Sequence, residues 1–268
     1  MGNLFSLDEY EILTFGAVFV RYGAFFAFLP LFGHSGIPAI IRILFSLVCT
    51  VCVYPTLITR GLIDPKMAIH WSATTSGFIS TIAAEALLGV AVSYVAKLSF
   101  DVISIAGNFM TNAMGFGIAT TYDPHFEGQS VSMAELQVTL ATMVFLACDG
   151  HHAILLAALR SYEFCALGGL SIQEVFSARL IQMTSEVLAL GIQLSAPVML
   201  AMFAVNLVFG IFSRAMPQLN VLMLSLSVSG FVGVFVLALI NQDLQLASNQ
   251  VLGKSSDWMI ESMKLLGR

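Results

Sequence analysis

Six runs of twenty or more mostly apolar residues dominate this chain, at Glu11–Phe32, Ile37–Thr59, Ser72–Ala96, Ala134–Leu159, Ser185–Phe212 and Leu219–Ile240. About 20 consecutive apolar residues suffice for a helix to cross a lipid core. A backbone in lipid must satisfy its own N–H and C=O groups, so only helices or closed barrels serve. Runs of this length without period-2 alternation favour helices. The expected fold class is therefore all-α: a polytopic membrane protein of about six to seven long helices arranged as helical hairpins. Phe100–Ala119 supplies the seventh, shorter and amphipathic. Composition agrees, with 58% hydrophobic and 10% charged residues and a mean hydropathy of +0.90. A soluble domain carries about 25% charged residues. No linker interrupts the pattern, so residues 1–268 are read as a single integral domain.

Several function classes fall away. The formal charge is −5 and no Lys/Arg cluster exists, which excludes a phosphate-neutralising, nucleic-acid-binding surface. Asp8 and Glu9 occupy the first ten residues without a Lys or Arg, unlike a secretory leader, so the first run is expected to persist as a helix. Cys49 and Cys52 have metal-motif spacing but sit in a Leu/Val-rich run with no second pair; they and Cys148 and Cys165 read as packing residues. Asp149, His151 and His152 resemble a ligand set. On one continuous helix, however, positions i, i+2 and i+3 splay apart, so a polar break or subunit contact is expected there. No cofactor, metal site or catalytic pair is expected.

What distinguishes these runs from plain lipid-facing helices is their charge. Arg21 lies inside the first, Arg42 one turn into the second behind Pro38, and Glu85 mid-way along the third, followed by Gly89, Ser93 and Lys97 at four-residue steps. Each charge in a membrane segment costs about 2.5–3.5 kcal/mol on insertion scales and by default marks function or assembly. Lys and Arg in the connections, among them Arg60, Lys66, Arg160 and Arg179, show no alternating excess that would orient the chain. The helices look built to be covered by partner helices.

Two stretches carry further detail. Asp101, Ser104, Asn108 and Asn112 project within about 80° of a helix, opposite Ile105, Phe109, Ala113 and Phe116. Met110 and Met114 flank this stripe and Gly115-Phe116-Gly117 ends it. It suits either a channel wall or an Asn ladder between subunits. The second stretch runs from Asn206 to Asn220. Asn206, Gly210 and Arg214 share one helix face, a cation suits the helix C-terminus, and Pro217 forbids simple continuation. Beyond it, Ser225, Ser229 and Gly233 form a small-residue packing edge. Glu186, Gln193 and Pro197 mark the run before it as kinked and partly polar.

These residues, taken in order, resemble the FliR family of flagellar export-gate proteins and their injectisome relatives of the SpaR/YscT type. The resemblance is carried by Arg21, Leu29-Pro30-Leu31-Phe32, Ile37-Pro38 and Arg42, then by Gly107, Met114-Gly115-Phe116-Gly117 and Asp123-Pro124. Phe145-Leu146, Gly150-His151 and Ser161 follow. Pro197, Asn206-Leu207, Gly210, Arg214 and Pro217-Gln218-Leu219-Asn220 close the set, the last four residues being its most specific block. Gly150-His151 and the Asp123-Pro124 loop are more similar to the flagellar branch; Glu85 maps onto nothing in the pattern.

The resemblance implies a non-enzymatic subunit of a helical, multi-subunit export gate in the bacterial inner (cytoplasmic) membrane, at the flagellar basal body. Its implied partners are FliP-like and FliQ-like gate subunits and FlhB-like and FlhA-like export components, with unfolded flagellar proteins as cargo and lipid around. Asn108, Met110, Asn112, Met114, Gly115, Phe116 and Gly117 are then the pore or gate candidates. Arg21, Arg42, Asn206, Gly210, Arg214, Pro217, Gln218 and Asn220 are the assembly candidates. The alternatives are an injectisome gate subunit or a small-molecule secondary transporter relaying protons through Asp149, His151 and Glu186. A transporter would be expected to show inverted repeats with paired broken helices, which the sequence lacks.

Overall fold

The computed structural model describes residues 8–29, 37–116, 133–171, 174–216, 218 and 220–267. Among them are eight α-helices: α1 (Glu9–Phe28), α2 (Ala39–Thr59), α3 (Ala68–Ser72), α4 (Thr75–Ala113), α5 (Met133–Ala147), α6 (Gly150–Phe164), α7 (Glu174–Ala215) and α8 (Val221–Leu266). One 3₁₀ turn, Pro65–Met67, precedes α3. The described residues contain no strand, and the all-α expectation is borne out.

The helices are fewer and longer than the apolar runs. The expected segments Ser72–Ala96 and Phe100–Ala119 are one 39-residue helix, α4. Nothing between Lys97 and Phe100 is a Gly or Pro, and polarity alone does not end a helix. The run Ser185–Phe212 extends back to Glu174 to make the 42-residue α7, which continues through Pro197. The last run, expected to end near Ile240, continues to Leu266 as the 46-residue α8. In the opposite sense, Ala134–Leu159 is not one helix. It breaks between α5 and α6 with a 75° bend, where Asp149 takes the left-handed conformation at φ 57°. That conformation strains any L-residue other than Gly, Asn or Asp.

The chain forms two compact units, Met1–Leu98 with Asp149–Met183 and Gly253–Arg268, and Ser99–Cys148 with Thr184–Leu252. In the first unit α1 buries Thr14, Ala17, Val18, Arg21, Tyr22, Phe25 and Phe26, a three-and-four spacing that draws one stripe along the helix. Against it α2 presents Ser46, Thr50, Tyr54 and Leu57 at steps of three or four. Edge-on aromatic pairs fix the contact: Phe15 with Tyr54 at 5.5 Å and Phe26 with Phe45 at 4.9 Å between centroids. The Tyr54 hydroxyl donates to the Glu11 carbonyl at 3.2 Å.

The second unit packs around Ala106, Met110, Met114, Val198, Met202, Leu237 and Leu244. Its helices approach closely where glycines face them. A Cβ on Gly107 would meet the Ala134 backbone at 2.5 Å, and one on Gly233 would meet Met114 at 2.5 Å. The Ser229–Gly233 edge thus packs tightly, with Ser229 buried, as small residues at four-residue steps permit.

Candidate functional site

The first unit contains a buried ion pair assembled from distant parts of the sequence. Arg21, on the buried stripe of α1, and Glu85, near the start of α4, are 3% and 0% exposed. Arg21 Nε donates to Glu85 Oε2 at 2.6 Å and Nη2 donates to Oε1 at 2.8 Å, a fork-to-fork pairing whose geometry only Arg provides. Nη1 also donates to the Ser161 hydroxyl and to the Cys165 carbonyl, each at 3.2 Å, and Nη2 donates to the same carbonyl at 3.2 Å. Nε and both terminal nitrogens are therefore all engaged. The guanidinium carbon lies 3.8 Å above the centre of the Tyr162 ring, a cation–π contact.

The Glu85 carboxylate is held from a second side by the backbone amide of Gly168, which donates to Oε1 at 2.8 Å. Gly168 is left-handed at φ 72°, and its missing side chain leaves room for Thr81, 3.2 Å from where a Cβ would stand. Gly89, one turn beyond Glu85, lets α4 lie against α1: a Cβ there would strike the Arg21 carbonyl oxygen. One node thus ties α1, α4, α6 and the turn at Cys165–Gly168. Charges so deeply buried are tolerable only when paired and fully hydrogen-bonded, and these are. The node is a clasp.

Sequence reading singled out Arg21 and Glu85 separately and missed that they are partners. The signal was present: two opposite charges, each in an apolar run, each requiring a counter-charge. Tyr162, Cys165 and Gly168 carry no pattern that would have marked them.

The other sequence-derived candidates lie as follows. In the second unit Met110 and Met114 are buried in the core. Asn108 and Asn112 are exposed. Gly115 follows the end of α4 in the left-handed conformation at φ 84°. The Phe116 ring, 41% exposed, lies 3.6 Å from the Cβ position of Gly230. In the first unit Arg42 folds back on its own helix start, Nε and Nη2 donating to the Ile37 carbonyl at 3.3 and 3.0 Å. Asn206, Gly210, Arg214, Gln218 and Asn220 are exposed. A Cβ on Gly210 would meet nothing within 4 Å. Asn220 Oδ1 accepts from the Met223 amide at 3.4 Å, in the capping position before α8. Gly117, Pro217 and the Asp123-Pro124 loop lie outside the described residues.

The expectation that Asp149, His151 and His152 splay apart is overturned. They do not share one helix, because Asp149 sits at the bend before α6. His152 Nδ1 comes to 3.3 Å from Asp149 Oδ1 and the two imidazoles are 4.1 Å apart. Polar residues do break the run, as the sequence suggests.

Among the described residues, five helices are long and apolar enough to cross a membrane, and the bent pair α5–α6 brings the number to as many as six. With charges clasped in its interior, the chain is a multi-pass helical membrane protein. The family described as "Bacterial export proteins, family 1" matches residues 12–254, and the chain belongs to that family. It is similar to the flagellar biosynthetic protein FliR of Bacillus subtilis, 28% identical over 95% of this chain and 96% of that one. Its likeness to FliR of Caulobacter vibrioides is 26%, over 88% and 91%. The surface presentation of antigens protein SpaR of Shigella flexneri is 24% identical over 87% and 86%. The resemblance to the FliR family is borne out.

Proposed function

We propose that this chain is a structural, non-enzymatic subunit of the flagellar type III export gate. With FliP-like and FliQ-like subunits it forms the channel through which unfolded flagellar proteins leave the cytoplasm. FlhB-like and FlhA-like components adjoin it, at the basal body in the inner membrane. The observation that carries this reading is the near full-length match to proteins named flagellar biosynthetic protein FliR, within a family of export proteins. The unpartnered surface supports it. Helix α2 exposes Ile40, Ile41, Ile43, Leu44 and Val48, and α7 exposes Phe203, Leu207, Ile211 and Phe212. Residues 1–268 act as one subunit, with α4, α7 and α8 each running through both compact units.

Within the gate, the exposed Asn206, Gly210, Arg214, Gln218 and Asn220 form an assembly key. Asn108, Asn112 and Phe116 face the conduit, with Met110 and Met114 as the pliable backing on which Phe116 moves. Gentle purification of the tagged chain tests the class: FliP-like and FliQ-like proteins co-purify with it. A clean monomer that takes up a small solute in liposomes overturns it. Replacing Met114 and Phe116 together by Ala makes the resting gate leak small ions, read as conductance in cells expressing the assembled variant; unchanged conductance removes these residues from the seal.

The SpaR relatives favour a second reading, a gate subunit of an injectisome. Flagellar or needle proteins trapped during export discriminate the two.

A further inference from the structure

Outside the clasp, the start of α6 gathers a second set of chemically capable side chains. Asp149, His151 and His152 each offer one ligand atom, and these atoms all lie within 4.8 Å of one another. His152 Nδ1 stands 3.3 Å from Asp149 Oδ1. Two donors on one tetrahedral metal ion, each bonded at about 2.0–2.1 Å, stand about 3.4 Å apart. This pair therefore already has the spacing of a coordination edge. The third donor closes on it by side-chain rotation, and the exposure of Asp149 and His152 leaves room for that movement.

The ordinary structural uses of these residues do not account for the cluster. Asp149 is the N-cap of α6, and Asp is a favoured cap, yet its side chain makes no capping hydrogen bond. Its carboxylate lies against His152 instead. An ion pair with one imidazole would need only His152. A second imidazole nevertheless lies with its centroid 4.1 Å from the first. Its Nδ1 is buried without a hydrogen-bond partner among the described residues. The His151 ring is thus not fixed at that nitrogen as a structural histidine would be, and it keeps a nitrogen uncommitted to the protein.

We propose that Asp149, His151 and His152 form a site for one borderline divalent cation of the zinc type. Two imidazoles and a carboxylate suit zinc, whereas magnesium and calcium favour oxygen donors. The carboxylate offsets part of the ionic charge, and water completes the shell that three protein donors leave open. The bound ion ties the left-handed Asp149 to the second and third residues of α6, and so fixes where that helix begins. Its role is structural.

Calorimetric titration of the full chain in detergent tests the site, after purification through a tag without histidine and stripping with a chelator. One zinc ion binds per chain, and a large excess of magnesium does not displace it. His151→Gln and His152→Gln each weaken binding by about tenfold or more, since even an outer-shell partner is commonly worth that much. Asp149→Gly does the same, and because glycine takes the left-handed backbone without strain, the far-UV spectrum stays unchanged. His70→Gln, in α3, leaves the affinity as it was. Failure of the parent chain to bind zinc stoichiometrically overturns the proposal, as does displacement by magnesium or an affinity that survives both histidine replacements. X-ray absorption at the zinc edge, on the parent chain, is independent of how any variant folds. Imidazole nitrogens at about 2.0–2.1 Å are expected, and a shell of oxygen alone overturns the site.

Discussion

At the scale of single residues the decisive feature is that Arg21 has nothing left to give. Its Nε, Nη1 and Nη2 are all committed within the chain, so a Lys there cannot stand in: three donors on a point charge do not reproduce a planar fork. Arg21→Met and Glu85→Leu should each destabilise the purified chain by about 3–5 kcal/mol, the range for breaking a buried pair by removing one partner. Denaturant unfolding in detergent measures it. The double replacement Arg21→Met with Glu85→Leu should cost less than the two single changes together, since no orphan charge remains. Strict additivity would mean that the two residues do not act as a pair. Cys165 offers an independent probe. It is 1% exposed, and burial pushes its thiol up, which starves it of thiolate. A maleimide should therefore modify the exposed Cys148 promptly and Cys165 only on unfolding. Prompt labelling of Cys165 would show that the clasp opens in the native state.

The helices themselves separate two kinds of glycine. Gly233 faces Met114 at a distance no Cβ tolerates, so Gly233→Val overpacks the second unit and should cost about 1–3 kcal/mol. Part of that is relieved because Met bends. Gly210 faces open space, and Gly210→Val should change the stability of the isolated chain by no more than about 0.5 kcal/mol. The same change, and Arg214→Ala, should prevent FliP-like and FliQ-like proteins from co-purifying; normal assembly with failed export would instead place these residues on the conduit. This contrast also shows what the sequence could and could not convey. Apolar runs announced helices because lipid-compatible length is a strong, local signal. Helix ends were misplaced where polar residues such as Lys97 and Asp101 looked like boundaries, although neither ends a helix. The bend at Asp149 was half legible: Cys-Asp-Gly-His-His said that the run was interrupted, but not that the chain would turn by 75° and gather the side chains. The clasp was least legible, since its members are separated by 64 and 140 residues and pairing across such distances leaves no periodicity. Asn206, Arg214 and Gln218 stood out because they are polar residues bordering apolar runs, and the fold leaves them exposed.

For the molecule as a whole, the clasp sets an order of events during synthesis. Arg21 emerges 64 residues before Glu85, which at 5–20 residues per second is a wait of about 3–13 s. The Ser161–Gly168 groups arrive later still. Through that interval α1 carries an uncompensated cation, which insertion into lipid disfavours. Pairing with α4 removes from α1 the cost of its lone cation, so the contact that clasps the fold also makes both helices compatible with an apolar surrounding.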